Sequence, residues 1–276
     1  MKKCILVFAL FFIAACAVSP TGRRQLMLVS PEQAITASKS AYVQTLAPLK
    51  KSGKLDPDPL VSSRIRNISG RIIAQAIRLY PATADWLWDI RVIEEPDTIN
   101  AWCMAGGKMA IYTGLLTKIA PTDDELAQII GHEISHAIAH HTAEKMSVAL
   151  ASQIGLSTVA VVAGDSARSS ATLAGAALAA GLAIQLPNSR QAETEADRIG
   201  IELAARAGYD PRAAVTLWRK MAEAGGPDTP QFLSTHPHPI NRIATLKELI
   251  PLMMPYYRQQ YRRPVYTFRQ TTLSDN

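Results

Sequence analysis

Cysteine is scarce in this sequence. Only Cys4, Cys16 and Cys103 occur in 276 residues. Cys4 and Cys16 belong to an N-terminal targeting signal described below, which leaves Cys103 alone and excludes a disulfide framework. Cys103 reads as a packed thiol, so a thiol nucleophile is not expected. Aromatic residues are also few, at 6%, against a hydrophobic content of 48%. That Ala- and Leu-rich composition excludes a disordered chain and points to helices. No repeat of fixed period is present. No apolar run is long enough to cross a bilayer comfortably. The longest, Val148 to Leu186, breaks near Gly164 into halves of about seventeen residues with Ser and Thr interspersed. It reads as two tightly packed helices, buried or lying on a membrane surface. The formal charge of +6 owes much to Arg258, Arg262, Arg263 and Arg269, in a basic tail at 251–276 that reads as solvated. Nothing before that tail suggests a nucleic-acid fold, so nucleic acid is excluded as a partner.

The N-terminus carries an address. Lys2 and Lys3 precede an apolar run from Cys4 to Ala15 that is too short for a membrane span, the pattern of a cleaved signal peptide over 1–15. The run ends in Ile13-Ala14-Ala15-Cys16, which resembles a bacterial lipobox and marks Cys16 for lipidation. The expectation is a cell-envelope lipoprotein held to the membrane through Cys16, with 16–30 as a lipidated tether. Residue 17 is Ala rather than Asp, which points to an outer membrane, facing the periplasm.

Helical spacing of apolar residues marks Pro31 to Leu49 and Val61 to Leu79. Trp88 to Ile93 alternates as a strand, and Ala101 to Tyr112 reads as two strand pieces about a Gly106-Gly107 turn. Beyond Pro121, Thr122 or Asp123 caps a helix whose first turn holds Asp124 and Glu125. Another helix starts near Asn188-Ser189 and stops at Gly208 and Pro211. Pro211 to Ala224 is one more.

The chemistry lies on the helix after Thr122, which carries His132-Glu133-Ile134-Ser135-His136. Residues four apart on a helix share a face, so His132 and His136 can reach one tetrahedral cation. Glu133 sits about a hundred degrees around from His132, close enough to take a proton from the attacking water without ligating. Such a pattern arises by accident in roughly one chain of this composition in two hundred. His136 and His140 form a second pair by spacing, but residue 137 is Ala and offers no base. His140 and His141 therefore read as structural. A hydrolytic zinc site with two histidines needs one further protein ligand. The best source is Glu193 to Asp197, where Glu193 and Asp197 share a face and Glu195 points away. Spacing alone leaves both open as the ligand.

Four ordered motifs, Asn100-Ala101-Trp102 with Gly106-Gly107-Lys108, Gly131 to His136, Glu193 to Arg198, and Thr235-His236-Pro237 with Arg242-Ile243, are similar to those of the HtpX and CAAX-prenyl-endopeptidase family of zinc metallopeptidases. The likeness is greatest to its periplasmic lipoprotein branch. The resemblance implies one Zn²⁺ held by His132, His136 and Glu193, with Glu133 as catalytic base and Asp197 fixing the tautomer of a ligand imidazole. It also implies that His236 donates to the developing oxyanion. A fourth-ligand latch at His236 or His238, or a purely structural histidine, are the other readings. Ala105, where the family often has Pro, and His140, where Arg is common, are departures that touch none of these residues.

Peptide substrates are commonly held by adding a strand to a sheet edge. Met109 to Thr113 is the expected edge, with Met109, Ile111 and the nearby Asn100 as substrate-binding residues. The expected fold is α+β and mostly α-helical, a gluzincin-like domain over 31–250 with a small β-sheet beside the active-site helix. The expected function is endopeptidase action on unfolded or misassembled envelope or outer-membrane proteins, with the outer-membrane assembly machinery as a further partner. The alternative is a zinc-stabilised chaperone or assembly factor with little turnover.

Overall fold

The computed structural model describes residues 16–162, 179, 181, 183, 185–224, 231–237 and 239–269. The expected signal peptide and His238 lie outside them. Strands β1 (Cys16–Val18) and β2 (Arg24–Leu26) pair antiparallel, with Cys16 opposite Leu26. Helix α1 (Pro31–Lys51) starts at Ser30, whose hydroxyl accepts from Gln33 N while the Gln33 side chain accepts from Ser30 N. That reciprocal cap, with Pro31 in the first turn, satisfies donors the helix cannot. Asp58 opens α2 (Pro59–Leu79) by accepting from Leu60 and Val61 N.

A three-stranded sheet follows: β3 (Asp89–Ile93), β4 (Ala101–Met104) and β5 (Lys108–Tyr112), in the spatial order β3-β5-β4. β5 is parallel to β3 and antiparallel to β4. The β4–β5 turn needs glycine at 107 on two counts. Its φ is +73°, and an added Cβ would stand 2.2 Å from the buried ring of Trp88.

The remaining helices are α3 (Asp123–Ile138), α4 (His141–Val162), α5 (Arg190–Ala207), α6 (Ala213–Ala224), the single turn α7 (Gln231–Thr235) and α8 (Pro239–Tyr257). Thr122 and Glu125 cap α3 reciprocally, and Ser189 caps α5, which ends at Gly208 in the left-handed conformation. The apolar side of α3 joins Ile72, Ile73, Trp88 and Ile90 in the main core, while Tyr42, Leu46, Trp102 and Met104 form a second cluster. α3 and α5 touch backbone to backbone. A Cβ on Gly131 would lie 2.8 Å from Gly200 O, and one on Gly200 2.8 Å from His132 N. Gly131 leaves room for a neighbouring helix, and that contact sets the depth of the helices carrying the candidate ligands. The mostly helical α+β expectation therefore holds.

Four expectations change. Residues 16–30, expected as a tether, are packed on the domain: the β1–β2 hairpin bonds to α4 and α5 through Arg23, and Val29 N donates to Ser147 Oγ at 2.9 Å. The boundary at 250 cuts α8, which runs to Tyr257 through Pro251 and Pro255, both exposed. Four residues apart, these prolines share one solvated side, where water can take the carbonyls they leave unpaired. The basic tail is not wholly solvated. Arg263 donates to Arg206 O (3.1 Å) and Tyr257 O (2.9 Å), and Tyr266 N donates to Gly70 O (2.9 Å), strapping 261–268 over α2 and α5. Finally, Met109 and Ile111 are not on an edge, because β5 is bonded on both sides and both side chains are buried. Of the expected Val148–Leu186 helix pair, the first continues α4, and residues 163–178 lie outside the described ones. No described helix is long and apolar enough to cross a membrane.

Candidate metal centre

α3 delivers His132 and His136 one turn apart, with Nε2 atoms 3.0 Å from each other. α5 brings Glu193 beneath them, with Oε2 3.4 Å from His132 Nε2 and Oε1 3.4 Å from His136 Nε2. The loop after α7 adds His236, whose Nδ1 is 3.2 Å from His132 Nε2 and 3.0 Å from Glu193 Oε1. All four residues are buried, and one donor atom from each lies within 4.8 Å of the others. Bonds of about 2.0–2.1 Å to zinc give a tetrahedron with edges of about 3.3 Å. The separations among His132, His136 and Glu193, 3.0, 3.4 and 3.4 Å, lie close to those edges.

The surrounding hydrogen bonds explain why a cation belongs between these atoms. Asp197 Oδ1 is 3.1 Å from His132 Nδ1 and accepts a hydrogen bond from its N–H, which turns the Nε2 lone pair inward. His141 Nε2 donates to Glu195 Oε2 (3.1 Å), so its Nδ1 accepts from His136 Nδ1 at 2.7 Å. His136 Nε2 then also turns a lone pair inward. Two lone pairs 3.0 Å apart beside a carboxylate require a proton or a metal ion between them. Burial and Arg242 lower the His132 pKa, but Glu193 and Asp197 outweigh them and push it up to about 9. His136 is driven well below its ordinary value, chiefly by burial. Without a metal, the proton rests on His132.

Glu133 faces the same space. Its Oε1 is 3.3 Å from His236 Nε2 but has no hydrogen-bond partner, and burial raises the pKa of this carboxyl. A cleft beside it is lined by Trp102 and Cys103 of β4, His136, Lys145, Asn188 and His236. Cys103 is buried and its thiol pKa is raised by burial, so it is a packed group as expected. Asn100 stands at the head of β4 with its Oδ1 accepting from Ala101 N (2.9 Å). Among the described residues β4 is an edge strand of the sheet and lies beside α3, with its four residues buried.

Three participants had no role assigned from sequence. Arg242 is buried, forks onto Asp197, places Nη1 2.7 Å from Glu193 Oε2 and Nη2 2.9 Å from His132 Nδ1, and lies 3.6 Å over the Trp218 ring. It carries the positive charge that lets two carboxylates sit in one buried place. Its only sequence signal was its position in the last motif. His141, read as structural, bonds a candidate ligand directly. Glu195, read as pointing away, is buried and accepts from that histidine. Pointing away from Glu193 around the helix brings it to the far side of His136, which spacing on one helix cannot reveal.

Residues 59–250 match the model of peptidase family M48. The mitochondrial metalloendopeptidase OMA1 of Bos taurus is 34% identical over 259 residues, covering 89% of this chain and 48% of that protein. The Saccharomyces cerevisiae OMA1 is 34% identical over 218 residues, 74% of this chain and 60% of that protein. The beta-barrel assembly-enhancing protease of Yersinia pestis is 29% identical over 219 residues, 75% of this chain and 43% of that protein. The chain thus spans about half the length of the relatives it matches. With the family model covering more than half of the sequence and a buried donor set suited to one zinc ion, the chain belongs to peptidase family M48, a family of metallopeptidases.

Proposed function

We propose that this chain is a zinc-dependent endopeptidase of the bacterial cell envelope, anchored through a lipid on Cys16 and cleaving unfolded or misassembled envelope proteins. One observation carries the catalytic part: a buried Glu133 oxygen with no hydrogen-bond partner beside three converging ligand atoms of His132, His136 and Glu193. Bound zinc supplies a Lewis acid that polarises the scissile carbonyl and acidifies water. Glu133 takes the proton of the attacking water and returns it to the leaving amine. Burial raises the pKa of this carboxyl, which makes it a stronger base. Asp197 and His141 keep both imidazoles in the ligating tautomer. A substrate strand would add to β4, which runs beside α3 and lines the cleft with Glu133.

His236 is the fourth residue of the donor set, with Nδ1 3.2 Å from His132 Nε2 and 3.0 Å from Glu193 Oε1. That position supports the latch reading over the oxyanion donor, because the attacking water needs the same place. A His236→Phe variant with raised proteolysis supports the latch, and one with lowered proteolysis supports the donor. For the compartment, the support is the lipobox-like Cys16 and the name of the Yersinia pestis relative. The mitochondrial relatives fit the peptidase reading equally and favour no outer membrane.

The deciding experiment is cleavage of an unfolded polypeptide by the purified chain. Zinc chelation should abolish it, and Glu133→Gln should lower kcat by roughly 10²–10⁴-fold with zinc content unchanged. Full activity in that variant rejects the mechanism. Full biological rescue by it would favour the assembly-factor alternative.

A further inference from the structure

The β1–β2 hairpin does more than cover a surface. Between its strands, Ser19, Thr21 and Arg23 converge on one buried carboxylate, that of Glu195. Ser19 Oγ and Thr21 Oγ1 (2.6 Å) donate to Oε1, and Arg23 Nε donates to Oε2 at 2.8 Å. The remaining donor on Oε2 is His141 Nε2. Burial alone would raise the Glu195 pKa, but these four donors hold it far below the usual carboxylate range. The hairpin has two further anchors. Arg23 forks onto Glu144 at 2.6 and 2.7 Å, and Gln25 Nε2 donates to Ala139 O (2.7 Å) at the C-terminal end of α3.

We propose that the 16–26 hairpin is a positioning element of the metal centre: Ser19, Thr21 and Arg23 fix Glu195, Glu195 fixes His141, and His141 sets which nitrogen of His136 faces the metal. This inference rests on the zinc reading above. A carboxylate with four donors in fixed directions can accept from His141 Nε2 in only one ring orientation. That orientation leaves the His141 Nδ1 lone pair aimed at His136 Nδ1–H. If the hairpin detaches, Glu195 is left with one protein donor and water enters. His141 can then turn or change tautomer, and His136 loses the acceptor that orients it. Partners of a ligating histidine commonly influence metal affinity by 10- to 100-fold. The hairpin acts further out still, through Glu195 and then His141.

The test is zinc affinity of the full chain by chelator competition, read beside the melting temperature of the metal-free protein. Arg23→Gln combined with Thr21→Val should raise the zinc Kd about tenfold, and Arg23→Lys should retain most of the affinity. Arg263→Gln, which loosens the unrelated C-terminal strap, should leave Kd unchanged. Should the double variant fail to fold, Thr21→Val alone removes one donor in nearly the same volume and should raise Kd about threefold. Unchanged Kd in a folded hairpin variant overturns the inference while leaving the zinc reading intact. So does an equal rise in Arg263→Gln, which would mark a general loss of stability. No zinc binding by the unsubstituted chain overturns both.

Discussion

His132 and His136 come from one helix and face one ion, yet they are held by different parts of the molecule. His132 is oriented by Asp197, a carboxylate of α5 that Arg242 of α8 clamps in place. His136 is oriented through His141 and Glu195 by a hairpin more than a hundred residues earlier in the chain. A motif that is symmetric in sequence has unequal supports in space. One side is internal to the helical bundle, and the other depends on the docking of a terminal segment.

Both supports share one base, the contact between α3 and α5. Gly200→Ala puts a methyl group 2.8 Å from His132 N and forces α3 from α5. It should cost about 1–3 kcal/mol of stability and weaken both sides together, seen as a lowered melting temperature and a raised zinc Kd. Asp197→Asn strikes the His132 side alone and should raise the zinc Kd roughly 10- to 100-fold. Glu195→Gln, one ring further from the metal, should raise it roughly tenfold or less. Equal losses would mean that the two supports are equivalent.

Acidity sharpens the contrast. In the metal-free site His132 titrates at about 9 and His136 well below its ordinary value. Below about pH 9 zinc must displace the His132 proton, so affinity should fall about tenfold per unit as pH drops. His136 adds no such competition until pH falls to its own depressed pKa. Asp197→Asn removes a cause of the raised His132 value and should flatten the dependence near neutrality, measured by chelator competition across pH. Glu133 must be ionised to act. Because burial raises its pKa, activity should fail on the acid side at a higher pH than an ordinary carboxylate would allow.

Much of the fold was legible because local chemistry decided it. Ser30, Asp58, Thr122 and Ser189 bond the free N–H groups of their own helices, and the apolar spacing of Val61 to Leu79 was enough to mark a helix. The β4–β5 hairpin followed from Gly106-Gly107. Sheet order was not legible, since adjacency of β4 and β5 says nothing of β3 pairing on the other side of β5. That pairing removed Met109 and Ile111 from the edge. Pro251 and Pro255 do not stop α8, because the residues whose carbonyls they leave unpaired, Lys247 and Pro251, are exposed to water.

The chemistry carried on single helices was set before any tertiary contact formed. His132, Glu133 and His136 lie within one turn, where a period of 3.6 residues dictates which side chains share a face. Glu193 and Asp197 obey the same rule on α5. Only the tertiary structure decided how the two helices meet, through the glycine contact that brings Glu193 to the histidines. It also decided which remote groups orient them: Arg242 from α8 and the hairpin around Arg23. Helical spacing is local, whereas the direction of a hydrogen bond between residues 23 and 195 exists only after the chain has folded.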